Sequence, residues 1–182
     1  MTRAQSIVGF NPTGRPETDY YPTPEPATLA LLAKERFVGW IWEPACGQGS
    51  ITRVLQDVGH QVIDSDLYDY GQERHGFDFL KANYLRCPNI ITNPPYKLAQ
   101  EFVQKAIDLR AVKAAFLLKL TFLEGIRRRG LFHYHPPARI HVFSKRLQLT
   151  RNGEDYRNRG MIAYAWFVWE AGYQGSPMVD WI

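Results

Sequence analysis

The chain has 182 residues, 45% hydrophobic and 22% charged, enough for one sizeable core and too ordinary a balance for a disordered or fibrous protein. MTRAQSIVGF lacks the apolar core of a signal peptide, the longest apolar runs (AAFLL and MIAYAWFVW) are too short to span a membrane, and Cys46 and Cys87 form no disulfide framework, so a reducing intracellular compartment is expected. The net charge of +4 is uneven: between Gly125 and Gly160 nine cations (Arg127, Arg128, Arg129, Arg139, Lys145, Arg146, Arg151, Arg157, Arg159) face only Glu154 and Asp155.

In chain order, residues 1–24 are polar and rich in Pro and Gly, and read as an arm. TPEPATLALLAKERF predicts a helix capped by Thr23, with Leu29, Leu32 and Ala33 on one face. FVGWIW predicts a strand ending at Glu43, PACGQGS a tight loop, and ITRVLQDVG a helix closed by Gly59. HQVIDSD reads as a second strand ending in acids, and LYDYGQERHGFDFL as mostly loop. CPNIIT is a strand, followed by NPPY and a helix over KLAQEFVQKAIDLR. AVKAAFLLKL is a strand, TFLEGIRRRGLF a short helix or turn, and ARIHVFS and MIAYAWFVWE are strands. Strands alternating with helices, then strands alone, predict a three-layer α/β domain with a mainly parallel sheet, antiparallel at one edge.

WIWEPACGQGSITRVL puts an acid at a strand end, then Gly-x-Gly, then a helix start with free N–H groups. It is neither the full dinucleotide fingerprint nor a P-loop. Glu43 would repel a pyrophosphate and attract an ammonium group. Asp66, at the end of the next strand, can take both hydroxyls of a ribose, with Asp64 as its competitor. A ligand with a ribose and an α-amino group but no phosphate fits S-adenosylmethionine. Cys46 reads as a small buried thiol. Asn93-Pro94-Pro95-Tyr96 ends an apolar strand on a stiff turn. Asn93 as a helix cap, the prolines as a strand-ending turn and Tyr96 as core are the structural alternatives, and Asp78 has one as a solvent-facing turn acid. His133, His135 and His141 lack acids or cysteines at ligand spacing, so no metal is expected, and they are placed in the basic, substrate-facing region.

EPACGQGS resembles the cofactor motif of class I S-adenosylmethionine-dependent methyltransferases, and NPPY resembles the catalytic motif of amino-methyltransferases. DYYPTPEP resembles the segment that closes over the methionine end in adenine-N6 DNA methyltransferases, and GFDFL the segment whose acid takes the cofactor's adenine amino group. With the glycine loop before NPPY, the chain resembles the small, phage- and prophage-type, Dam-like adenine methyltransferases. The resemblance implies a Rossmann-like methyltransferase fold with a sheet of about seven strands, in one domain over residues 1–182. It implies S-adenosylmethionine as cofactor, held by Tyr21, Thr23, Glu43, Pro44, Ala45, Cys46, Gly47, Gly49, Asp66, Asp78, Phe79 and Asn93. Asn93 Oδ1 and the Pro94 carbonyl would accept the N–H groups of the target amine, Pro95 would stiffen the turn, and Tyr96 would stack on the base. Substrate phosphates would fall to Arg146, Arg151, Arg157 and Arg159.

The expected substrate is adenine N6 in DNA. RNA base amines and protein glutamine are the alternatives, and a non-catalytic nucleic-acid-binding subunit is a further one. Cytosine enzymes of this kind usually carry Ser at the first motif position, and glutamine enzymes a helical domain before the glycine loop. The chain has no room for the separate target-recognition domain usual in Dam-like enzymes. A cytoplasmic location, in a bacterial host or as a phage-encoded protein, is the matching expectation.

Overall fold

The computed structural model describes residues 21–71, 75–149 and 162–182. The strands are β1 (Ile41–Glu43), β2 (Val62–Asp64), β3 (Asn89–Thr92), β4 (Lys113–Lys119), β5 (Arg139–Val142), β6 (Tyr164–Glu170) and β7 (Met178–Trp181). The helices are α1 (Glu25–Lys34), α2 (Ser50–Asp57), α3 (Ala99–Asp108) and α4 (Arg129–Tyr134). All seven strands join one sheet in the order β2-β1-β3-β4-β6-β5-β7. β6 alone is reversed, pairing antiparallel with both β4 and β5, while β7 runs parallel to β5. The expected strand reversal therefore lies inside the sheet, with β5 and β7 beyond it.

Both faces of the sheet are covered. Ile41, Ile91, Leu117 and Trp166 pack on one side with Leu31 of α1 and with Ile51 and Leu55 of α2. Trp42, Ile90, Phe116 and Phe167 pack on the other with Phe102 and Val103 of α3. Successive residues of β4 and β6 thus enter opposite cores, which is why AAFLL and YAWFVW are continuous apolar runs. No helix among the described residues is long and apolar enough to cross a membrane.

Three local expectations are corrected. The buried face of α1 is Ala27, Thr28 and Leu31, whereas Leu29 is 39% exposed and Ala33 is exposed. The Trp166 indole N–H donates to the Ala27 carbonyl at 2.8 Å, and this contact with the sheet sets the rotation of the helix. Pro24, not Thr23, occupies the N-cap, and the Thr23 hydroxyl is used elsewhere. Strand β7 lies beyond the predicted elements. Met178, Val179 and Trp181 are exposed, so no burial period marks it, and it exists through its ladder with β5.

At the opposite end of the sheet from the glycine loop, Glu35 follows α1 with its side chain only 3% exposed. It accepts from Lys113 Nζ at 2.9 Å and from the Arg139 guanidinium, and it pairs with His141 Nε2 at 2.9 Å. Arg139 also donates to Glu170 at 2.8 Å. Arg139 and His141 are therefore part of a buried ion cluster tying α1 to the sheet, not of the substrate-facing surface expected for them. Long-range charge pairing, invisible in local sequence, draws them inward.

Candidate active site

The carboxyl ends of β1 and β3 and the loop beyond β2 open onto one cavity of ≈ 260 Å³. Ligands of open α/β sheets bind at this edge. The cavity is walled by Tyr21, Thr23, Glu43, Pro44, Ala45 and Cys46, by Asp66, Asp78 and Phe79, and by Asn93, Pro94 and Pro95. Gly47 and Gly49 stand behind this wall and shape it. Both are left-handed, with φ of 52° and 75°, which turns the chain from β1 into α2. The first turn of α2 then contributes Ser50 and Ile51 to the lining.

Asp66 fixes this loop. Its Oδ2 accepts the Gly47 N–H at 2.8 Å and its Oδ1 accepts the Tyr68 N–H at 2.9 Å. Burial raises its pKa, opposed by these N–H donors. Asp66 does not end the strand as expected: β2 stops at Asp64, and Asp66 lies two residues beyond. That offset carries Asp66, rather than Asp64, into the cavity wall. A carboxylate has lone pairs for further hydroxyl donors. Asp78 Oδ1 accepts the Leu80 N–H at 3.0 Å, and the carboxyl sits 3.3 Å from Lys81 Nζ. Phe79 is buried against Trp42 and Phe102, at centroid distances of 5.1 and 5.0 Å. The Cys46 thiol is buried, and burial pushes its pKa up, with the Glu43, Asp66 and Asp64 carboxyls adding to the effect.

Glu43 is 2% exposed and accepts from the Thr52 hydroxyl. Burial holds its carboxyl well above the ordinary value, the Thr52 hydrogen bond opposes this, and Asp64 and Asp66 reinforce it. No cation is among these neighbours, so the carboxyl suits a cationic ligand group. Above the ordinary value of 4.5 the folded chain holds a proton that the unfolded chain releases, so stability falls as pH rises from there. Glu43→Gln is expected to flatten that slope, raise the melting temperature at neutral pH without ligand, and weaken S-adenosylmethionine binding about tenfold or more. Melting curves across pH and calorimetric titration check this. A variant that keeps the wild-type slope and affinity refutes it.

Asn93 is latched by the segment that precedes α1. Its Nδ2 donates to the Tyr21 carbonyl at 3.0 Å and to Thr23 Oγ1 at 3.1 Å. Its Oδ1 is buried and has no partner among the described residues. Tyr96 is not in the cavity wall. Its ring lies 5.9 Å from Tyr21 and 5.8 Å from Tyr164, with Lys119 Nζ 4.7 Å from its centroid. Local sequence did not point to Tyr68, Tyr70, Phe77 and Lys97 as lining residues. Tyr68 and Tyr70 were readable from their place just after the acidic end of the strand. The Arg86 guanidinium lies 4.0 Å from the centroid of the Phe77 ring.

A wider groove adjoins the cavity through Pro22 and Thr23, and Lys145 and Arg146 line it. Arg127 and Arg129 are exposed nearby in sequence, while Arg128 folds over the Phe122 ring at 4.9 Å. Arg151, Arg157 and Arg159 lie outside the described residues.

No protein-family model matches the chain, and no curated protein matches it in sequence. Solved structures do match its fold. A Pyrococcus horikoshii protein provisionally assigned as an RNA methyltransferase aligns at a TM-score of 0.61 and 13% identity, covering 85% of this chain and 87% of its own. A TehB-like SAM-dependent methyltransferase from Corynebacterium glutamicum aligns at 0.51 and 16% identity, covering 80% and 86%. A dimethyladenosine transferase from Plasmodium falciparum aligns at 0.52 and 15% identity, covering 79% of this chain and 59% of its own. The fold is thus the Rossmann-like fold of class I S-adenosylmethionine-dependent methyltransferases.

Proposed function

We propose that this chain transfers a methyl group from S-adenosylmethionine to the exocyclic amine of a nucleic-acid base, adenine N6 in DNA being the first candidate. The observation that carries this is Asn93, a residue of the cavity wall: Tyr21 and Thr23 engage both its amide protons, and its buried Oδ1 has no partner among the described residues. An amine conjugated to a base ring is a weak nucleophile, because its lone pair is delocalised. Asn93 Oδ1 and the Pro94 carbonyl would each accept one of its N–H groups and draw the lone pair out of the ring plane. Pro94 and Pro95 hold the turn, so little reorganisation accompanies the reaction. The residues in the wall suit the cofactor: Glu43 would take the ammonium group, Asp66 the ribose, and Asp78 and Phe79 the adenine. Bound there, it supplies a methyl already activated on a sulfonium, so neither a metal nor a covalent intermediate is needed. The amine's proton leaves to solvent. Tyr21, in the cavity wall, would offer a ring face to an extruded base, with Tyr96 packed beside it rather than in the wall.

Cations at the cavity and its groove favour a polyanion: Lys97 in the wall, and Lys145 and Arg146 along the adjoining groove. With about three phosphates contacted, binding should weaken roughly forty-fold between about 50 and 200 mM salt. Salt-insensitive binding to both DNA and RNA would count against this reading.

RNA is the alternative, and the fold's likeness to the Pyrococcus protein provisionally assigned as an RNA methyltransferase favours it. The DNA candidate rests on YYPTP and GFDFL. Isotopically labelled S-adenosylmethionine, incubated with double- and single-stranded DNA, RNA and cell protein, separates them after digestion and mass analysis. Labelled N6-methyladenine in RNA alone sinks the DNA reading, and label in protein glutamine sinks both.

A further inference from the structure

Asn93 is oriented by a segment 70 residues or more earlier in the chain. A carbonyl oxygen can only accept, so the bond to Tyr21 fixes which end of the amide is nitrogen. The Thr23 hydroxyl accepts the second proton at 3.1 Å. Thr23 is 5% exposed and lies between Pro22 and Pro24, whose rings restrict the backbone around it. An amide turned the other way would aim two N–H donors at a target amine that itself offers N–H groups, and no hydrogen bond would form.

We propose that Thr23 is a positioning residue for methyl transfer: with the Tyr21 carbonyl, its hydroxyl locks the Asn93 amide so that Oδ1 meets the incoming amine. This rests on the reading that Asn93 accepts from that amine.

Thr23→Val keeps the shape and removes the acceptor, and Thr23→Ser keeps the acceptor. Thr23→Val is expected to lower kcat about tenfold, with KM for nucleic acid and Kd for S-adenosylmethionine changed less than about threefold. Thr23→Ser should recover kcat to within about threefold of wild type. Equal kcat in all three proteins, a serine variant as slow as the valine one, or a valine defect confined to cofactor affinity overturns the proposal. Thr23→Ala takes the place of a valine variant that does not melt cooperatively.

A second readout needs no substrate. The side-chain amide resonances of Asn93, identified by their loss in Asn93→Ala, should move in Thr23→Val and stay in Thr23→Ser. Resonances unmoved in the valine variant overturn the lock. Resonances that move while wild type methylates no nucleic acid sustain the lock and defeat the amine-methylation reading.

Discussion

Asn93→Ala is expected to lower methyl transfer by about 10²–10³-fold while S-adenosylmethionine affinity changes only a few-fold. The Asn93 Oδ1 is buried and has no partner among the described residues, which leaves it as the acceptor proposed for the target amine. The cofactor's proposed polar contacts instead come from Glu43, Asp66 and Asp78. Asn93→Asp gives a sharper contrast. It retains acceptors but has no donor for the Tyr21 carbonyl, so two oxygens would face each other across a bond now 3.0 Å long. Its transfer rate should therefore fall with the alanine variant's rather than resemble wild type. Single-turnover transfer of a labelled methyl, beside calorimetric cofactor titration, measures both. An alanine variant that methylates at the wild-type rate would remove Asn93 from the mechanism.

Glu35→Ala is expected to cost about 3–5 kcal/mol of stability, roughly a 10 °C fall in melting temperature for a chain of this length. The loss arises because buried His141 and the partly buried Lys113 and Arg139 would keep their positions without the carboxylate that joins them. Burial by itself would raise the Glu35 carboxyl, but hydrogen bonds from His141, Arg139 and Lys113 outweigh it and hold the pKa at about 2, against an ordinary 4.5. The unfolded chain therefore binds the proton more readily than the folded one. The stabilisation is complete above about 4.5 and is lost as pH falls towards about 2. Glu35→Gln should lack that acid limb. Matching acid limbs in the variant and wild type would show that the cluster does not govern acid unfolding.

The cluster also bears on the site. α1 is held just past its carboxyl end by Glu35 and in its first turn by Trp166, and the segment before its amino end carries Tyr21 and Thr23 to Asn93. Loosening the far end should therefore reduce turnover as well as stability, because a ten-residue helix transmits a tilt along its axis.

The sequence alone determined the order of strands and helices, the glycine loop, and the NPPY turn at a strand's carboxyl end. These are local matters. Apolar runs, glycines that permit positive φ and prolines that forbid helix all act within a few residues of themselves. The same locality explains why Glu43, Asp66 and Asn93, named from the sequence, line one cavity: each lies at or just past the end of a strand.

Tertiary structure decided the rest. Arg139 and His141 looked like members of a basic surface, and only Glu35, more than a hundred residues earlier, draws them inward. The buried side of α1 depends on where Trp166 meets Ala27, and β7 depends on an edge left open by β5. The use of Thr23 was hidden for the same reason. A hydroxyl before a helix suggests a cap, but once Pro24 takes that position the hydroxyl's partner is set by which strand end packs beside it, and that strand end carries Asn93.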